Sequence, residues 1–462
     1  MKQHAKIILT VTIFLITILF SAKGQTWSAV GTGLSNTSGS IRAMCEYKGE
    51  LYVGGYFDSI AGMHVQSLAK WNGIAWDSVP GMTSFAGLDI VAMAVYHNEL
   101  VITGDQTRKW NGTSWSILGG WINNFPYSLE VYNDELYIAG SFDHADGIPT
   151  GGIARWDGLV WDSVSGPGLS TSFGDYGSAL QTFNGELYLG GNFGKVNSLT
   201  ARSIAKWNGS VWDTVGSING YSQLQSLCGY NNKMYGGGSI TISNNPIQRY
   251  IVSWDSLVCD SVGLGINNAP NSMVVYNNEL YAAGDFDTAG GTQTLGIARW
   301  NDVSWNSVGT GLELFLTNID TLIFLPHDTV LSKKEHIYSM CVYNNELYVG
   351  GTFTKMGGVN TNCIAKWHIV GASVNEIINN TDFALYPNPA TNQISIEFES
   401  LFQQNYLIEI RNVLGQIVYS ETIKNVSGKQ TKNIDLSMIE SGIYFVKLQG
   451  EKENVSKKFI KQ

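Results

Sequence analysis

Glu346-Leu-Tyr-Val-Gly-Gly351 repeats, residue for residue, a stretch first met at Glu50-Leu-Tyr-Val-Gly-Gly55. Five variants lie between them, beginning at Glu99, Glu135, Glu186, Lys233 and Glu279. A self-similar period governs how every other feature of a chain is read. Each copy is followed by a segment of the form IAKWNGxxWDSV. Its first Trp falls at Trp71, Trp110, Trp156, Trp207, Trp254, Trp300 and Trp367, at spacings of 39, 46, 51, 47, 46 and 67 residues. A second Trp follows five residues later at Trp76, Trp115, Trp161, Trp212 and Trp305, with Cys259 in its place in the fifth copy. With Trp27, these positions account for 13 of the 14 Trp.

Each unit reads as four short strands. The first ends in an aromatic residue, as in Ser272-Met-Val-Val-Tyr276, and an Asn-Asn or Asn-Gly turn after it is a hairpin signal. The second is Glu-Leu-Tyr-x-x-Gly, whose glycines allow close backbone approach. A longer loop leads to the third, such as Gly296-Ile-Ala-Arg-Trp300, and a tight turn to the fourth, Trp305-Asn-Ser-Val308. Four strands every 40–50 residues read as a β-propeller blade. The seventh copy stops at its third strand, and Trp27-Ser-Ala-Val30 reads as an orphan fourth strand. Placing it in the seventh blade closes the ring and removes exposed edges. Along the first strands, Met44, Met93, Leu129, Leu180, Leu227, Met273 and Met340 are expected to pack between blades. Ala43, Ala92, Ser128, Ala179, Ser226, Ser272 and Ser339 are small, as expected where inner strands crowd an axis. Six copies pair a Glu opening the second strand with a Lys or Arg before the third-strand Trp, and the fifth carries Lys233 and Ser253 instead. A partly exposed cross-strand ion pair, structural in role, is expected.

Composition agrees with a folded, exported β protein. At ~100–200 residues per domain, 462 residues make two to four domains. Aromatic content of 12% argues against disorder. A net charge of −10 argues against nucleic acid as a partner. Lys2 and Lys6 precede an apolar run, Ile7 to Phe20, and then Ser21, Ala22 and Gly24. That order predicts a signal peptide over 1–24, cut before Gln25 and leaving no membrane span. After Trp367 no Trp follows, and residues 383–462 hold only four Gly. That segment carries 9 basic and 8 acidic residues, against 16 and 30 in residues 25–382. Strand-like runs at Gln393–Phe398, Tyr406–Arg411, Gln416–Tyr419 and Gly442–Leu448 predict a small sandwich. The expected fold is all-β: a seven-bladed β-propeller over 25–370 closed by an N-terminal strand, a linker over 371–382, and a C-terminal immunoglobulin-like β-sandwich over 383–462.

The Gly-Gly doublets and spaced Trp resemble kelch-type propeller repeats. The fuller pattern, YNNELYVGG-x-F … GG … IAKWNG-xx-W-xx-VG, is similar to repeats of the fungal cortical polarity-marker family and of many bacterial secreted proteins. The likeness covers residues 26–368 and implies architecture, because propellers host both enzymes and binders. Tyr386-Pro387-Asn388-Pro389-Ala390, Gly442-Ile443-Tyr444-Phe445-Val446-Lys447 and Lys457-Lys458-Phe459-Ile460-Lys461 resemble the C-terminal sorting domain of type IX secretion substrates. This resemblance implies passage through the periplasm and outer membrane of a Gram-negative cell. It also implies removal of the domain, often with attachment to the surface. The implied partners are the type IX secretion machinery and its sortase. The implied signal residues are Pro387, Asn388, Pro389, Gly442, Tyr444, Lys447 and Lys458.

Catalytic and metal motifs are missing. The His residues show no zinc spacing, and there is no nucleophile elbow or Walker loop. Cys45, Cys228 and Cys341 share one first-strand position and read as buried thiols. Long loops are expected at one end of the ring, the usual binding side of a repeat protein. The first strands begin there with Arg42, Val91, Tyr127, Ser178, Gln225, Asn271 and Tyr338, which should ring the channel mouth. Of these, Arg42, Tyr127, Gln225, Asn271 and Tyr338 are the candidate ligand-binding residues, with a glycan or a cell-surface protein as ligand and no metal or cofactor. The apolar loop Glu313–His336 is a candidate lid or partner contact. The expected function is a non-catalytic binding or adhesion module. The alternative is a propeller enzyme acting on extracellular glycans.

Overall fold

The computed structural model describes residues 24–35, 38–82, 88–104, 106–169, 174–216, 218–242, 245–255, 258–312, 335–370, 383–412, 416–450 and 454–462. Residues 1–23 of the predicted signal peptide, the linker and residues 313–334 of the long loop lie outside them. The chain divides into two compact units, one within Lys23–Val370 and one within Gly371–Gln462.

The described part of the first unit contains seven four-stranded antiparallel sheets. Six are built from consecutive strands, as in Ser40–Tyr47, Glu50–Tyr56, Leu68–Trp71 and Trp76–Ser78. The last combines His336–Tyr343, Glu346–Thr352 and Ile364–Val370 with Gly24–Ala29 from the other end of the unit. There Thr26 lies opposite His368 and Trp27 opposite Trp367. The first strands touch one another in chain order, and His336–Tyr343 returns against Ser40–Tyr47. A ring of four-stranded antiparallel sheets is a β-propeller arrangement. Each sheet is covered on both faces by its neighbours, so a second strand such as Glu135–Gly140 is buried at every position after its Glu.

All seven first turns place both central residues at positive φ, the hairpin type that matches strand twist; Asn344 and Asn345, at 49° and 58°, are typical. Asn or Asp in the second turn caps the backbone, as where Asn72 Oδ1 accepts the Ile74 and Ala75 N–H groups at 2.9 Å. The last glycine of each second strand lies under the first strand. A Cβ at Gly55, Gly191, Gly238 or Gly351 would meet a first-strand carbonyl at 1.9–2.1 Å. All six expected ion pairs are present, from Arg299–Glu279 and Lys109–Glu99 at 2.7 Å to Arg155–Glu135 at 3.3 Å.

Two sets of hydrogen bonds tie sheet to sheet. Tyr47, Tyr132, Tyr230, Tyr276 and Tyr343 each donate a hydroxyl, at 2.9–3.0 Å, to a turn carbonyl of the next sheet. Tyr343 reaches Gly49 and so joins the last sheet to the first. The fourth-strand Trp indoles run the other way. Trp76 donates to the Val30 carbonyl at 2.9 Å and Trp27 to Val308 at 3.0 Å, with equivalents at Trp115, Trp161, Trp212 and Trp305. Small first-strand residues do more than relieve crowding. Ser128 Oγ accepts the Leu180 N–H, Ser272 Oγ accepts that of Met340, and Ser226 Oγ donates to the Pro270 carbonyl. Each of these three contacts satisfies a backbone group at the free inner edge of the next sheet.

The loop after the second strand is more structured than its sequence indicates. In five repeats it folds into a two-stranded hairpin, such as His144–Ala145 with Ile148–Pro149. Each hairpin is bridged by a residue ahead of the sheet's own first strand: Leu34, Ile122, Leu169, Ile266 or Leu312. In the fifth repeat the second and third strands instead extend to Lys233–Ile242 and Asn245–Asp255.

In the second unit, Phe383–Tyr386, Gln393–Asn412, Ile417–Asp435, Gly442–Gln449 and Asn454–Lys461 form one hydrogen-bonded five-stranded sheet. The runs read as two strands, Gln393–Phe398 and Tyr406–Arg411, are one long strand with irregular pairing between Ser400 and Tyr406. Ile394, Ile396, Phe398, Ile408, Ile410, Val446 and Phe459 share one core.

Candidate functional site

The seven residues expected at the channel mouth occupy one structural position, and it is a special one. In six sheets the pairing of first and second strands skips a residue, and the skipped residue is Arg42, Tyr127, Ser178, Gln225, Asn271 or Tyr338. Val91 stands at the same place in the remaining sheet, just ahead of the strand Ala92–Tyr96. A β-bulge re-aims its side chain out of the ladder and recurs beside binding sites. Sequence spacing located the position but not the bulge, which leaves no mark in residue type: Arg, Tyr, Ser, Gln and Asn all occupy it.

Three of the five candidates join into groups with unanticipated neighbours. His336 Nδ1 lies 2.5 Å from Asp285 Oδ1, and its ring stacks on Tyr338 with centroids 5.6 Å apart. The Arg42 guanidinium sits 5.8 Å from the centre of the Tyr338 ring and reaches Asp89 Oδ2 at 2.9 Å. This arc, Asp285–His336–Tyr338–Arg42–Asp89, crosses from the sixth repeat through the seventh and first to the second. A guanidinium held by both a carboxylate and an aromatic face is fixed in orientation while keeping donors to offer. Across the ring Tyr127 meets Tyr176 edge-on at 5.9 Å, and its hydroxyl lies 3.3 Å from Ser141 Oγ. Asp285 and Ser141 both occupy the x of the GG-x-F element, where Tyr56, Asn192 and Thr352 stand in other repeats. That variation was the available signal.

The other two candidates stand apart. Asn271 uses its amide to donate to the Ile337 carbonyl at 2.8 Å, a seam between sheets. Gln225 is exposed. Deeper in, Glu130 accepts the Thr182 N–H at 2.8 Å, and burial pushes its carboxyl above the ordinary value. The Cys45 and Cys341 thiols are unpaired, pushed up by burial to about 11 and about 12. Cys341 also takes a hydrogen bond from the Glu46 backbone.

The three C-terminal motifs converge on the last strand. Gly442–Gln449 pairs with Asn454–Lys461, placing Tyr444 opposite Phe459 and Phe445 opposite Lys458. Asn388 brackets the same strand: its Nδ2 donates to the Lys458 carbonyl at 3.3 Å, and its Oδ1 accepts the Ile460 N–H at 3.0 Å. Ala390 bridges Lys461 in parallel, and the peptide bonds before Pro387 and Pro389 are both cis. Tyr444 is buried and donates to the Glu440 carbonyl, while Lys447 meets Gln449 and Lys458 is exposed.

Residues 384–462 match a family model described as the secretion system C-terminal sorting domain. The chain therefore ends in a type IX sorting tail, and that tail implies secretion or cell-surface export. No curated protein is detectably similar in sequence. Among solved structures, the computationally designed Ika8 protein is 12% identical with a TM-score of 0.40, covering 94% of this chain and 100% of its own. YCF48 from Cyanidioschyzon merolae is 11% identical at 0.42, covering 74% and 98%. BamB from Moraxella catarrhalis is 11% identical at 0.29, covering 74% and 96%. These likenesses are too loose to fix a blade count or a function.

Proposed function

We propose that the Lys23–Val370 unit is a seven-bladed, kelch-like β-propeller that works outside the cell as a non-catalytic binding module. Its site is the bulged ring at the end where the first strands begin. The arc from Asp285 through His336, Tyr338 and Arg42 to Asp89 carries this reading. It offers fixed donors beside aromatic faces, the pairing that recognises a hydroxyl-rich ligand such as a glycan. The predicted signal peptide over 1–24 and linker over 371–382 belong to the same proposal. So does a sandwich in the C-terminal unit, supported by the shared core of residues from both halves of Gln393–Asn412. Its partners would then be the export machinery and its sortase.

The test is a glycan array probed with the exported chain, followed by Arg42→Ala and Tyr338→Ala. Binding that weakens at least ten-fold in both variants is the expected result. Binding untouched by either places the ligand elsewhere, and an array without a single bound glycan removes the carbohydrate class.

A further inference from the structure

Trp121 is the only Trp outside the repeat positions, and it is 65% exposed. It belongs to Trp121-Ile-Asn-Asn-Phe-Pro-Tyr127, the approach to the third first strand. Phe125 is 64% exposed and Tyr127, the bulged residue, 39%. Three large aromatics in seven residues facing water is costly surface for a soluble domain.

The molecule contains its own control. Gly265-Ile-Asn-Asn-Ala-Pro-Asn271 has the same pattern in the sixth repeat. The two segments are held identically. Asn123 Oδ1 accepts the Asp143 and His144 N–H groups at 3.1 and 2.9 Å, and Asn267 Oδ1 accepts those of Asp287 and Thr288 at 3.0 and 3.1 Å. The carbonyls of Trp121 and Gly265 accept the Asp146 and Gly290 N–H groups, both at 2.8 Å. Ile122 bridges Ala145 as Ile266 bridges Ala289. Pro126 pairs with Gly140 as Pro270 pairs with Gly284. The scaffold thus needs the Ile, the first Asn and the Pro. It needs no aromatic at the other three places, because the sixth repeat fills them with Gly265, Ala269 and Asn271.

We infer that Trp121, Phe125 and Tyr127 form an aromatic track that extends the mouth site outward and holds successive rings of a neutral polysaccharide. The inference rests on the binding reading above. Sugar C–H groups carry partial positive charge and pack on the electron-rich aromatic face, and Trp and Tyr do this at low entropic cost. Seven residues span at most ~25 Å, and the bends at Asn123 and Asn124 hold the track to less than that. Neutral character follows from charge: the track runs beside the exposed carboxylates of Asp143 and Asp146, which repel an anionic chain. Asn124 and Ser141, hydrogen-bonded to each other through the Asn124 amide and the Ser141 carbonyl, add polar edges.

The experiment is titration of the full exported chain with cello-, xylo-, manno- and laminari-oligosaccharides of two and six units, and with hexameric oligogalacturonate. For one neutral series the hexamer should bind at least ten-fold more tightly than the dimer. Trp121→Ala with Phe125→Ala should erase that length gain and leave dimer affinity unchanged. Both sites are exposed, and an unchanged melting temperature verifies folding. Retained length dependence in the double variant overturns the track while the mouth reading survives. Tighter binding of the galacturonate hexamer overturns the neutral class. Absence of binding to every oligosaccharide, neutral or anionic, overturns both.

Discussion

Tyr96 and Tyr343 end equivalent strands, yet their hydroxyls differ. Tyr343 donates across the seam to Gly49, whereas the buried Tyr96 oxygen has no hydrogen-bond partner among the described residues. A typical hydrogen bond adds ~0.5–1.5 kcal/mol, and a buried unpaired hydroxyl adds nothing. Tyr343→Phe should therefore lower unfolding free energy by about 1 kcal/mol in urea titrations, and Tyr96→Phe should leave it unchanged or slightly higher. Equal losses would mean that the ring, not the hydroxyl, carries the contribution. Glu130 gives a pH signature. Burial raises its carboxyl in the folded chain above the unfolded value, so the folded state keeps the proton to higher pH. Its contribution is greatest below the ordinary carboxylate range, about pH 4, and falls as pH rises through the raised value. Glu130→Gln, which can still accept the Thr182 N–H, should melt higher than the parent at pH 8 and converge with it near pH 4. A variant that melts lower at pH 8 would show that the charge itself is stabilising. At this scale the sequence placed the candidate positions but not their neighbours. Spacing placed Arg42 and Tyr338 at equivalent points of their repeats; Asp285 and Ser141 stand at a repeat position whose residue type varies, and Asp89 lies in a loop that the repeat does not constrain.

Elements were legible where one repeat could be compared with another. The exchange of Glu and Lys/Arg for Lys233 and Ser253 revealed the cross-strand pair, and the structure places all six. Hairpins inside the second loop were hidden, because two-residue strands such as Lys195–Val196 carry no periodicity. The bulges were hidden for a related reason: a register skip is a property of two strands, read only when both are aligned. The glycine ending each second strand shows their interdependence. Gly351→Ala would bring a Cβ to 1.9 Å from the His336 carbonyl at the bulge. Overpacking of this kind costs ~1–3 kcal/mol. Gly194 faces open space at a conformation open to any residue, so Gly194→Ala should change stability by less than about 0.5 kcal/mol. Chemical denaturation of both variants checks the contrast, and a Gly351→Ala protein as stable as the parent would remove the close approach as the reason for the glycine.

On the scale of the whole molecule, the repeat count and the orphan N-terminal strand were readable from the chain, because a missing fourth strand at one end and a spare one at the other are complementary. The seam they create is where the first and last sheets meet. Val30, Leu34 and Ile41 share a core with Tyr343, Tyr348 and Ile364, and Asn362 donates to the Thr32 carbonyl at 2.9 Å. Arg42 and Tyr338 face each other across the same seam, so the candidate site exists only if the ring closes on itself. Replacing Thr26 and His368, which lie directly opposite, by cysteine tests this closure. Antiparallel partners lie within disulfide reach, and peptide mapping by mass spectrometry distinguishes the new link from the five native thiols. A 26–368 disulfide forming in a monomeric chain is the expected result. A chain that remains reduced, or one linked at these positions only between molecules, would contradict a ring closed by its own N-terminal strand.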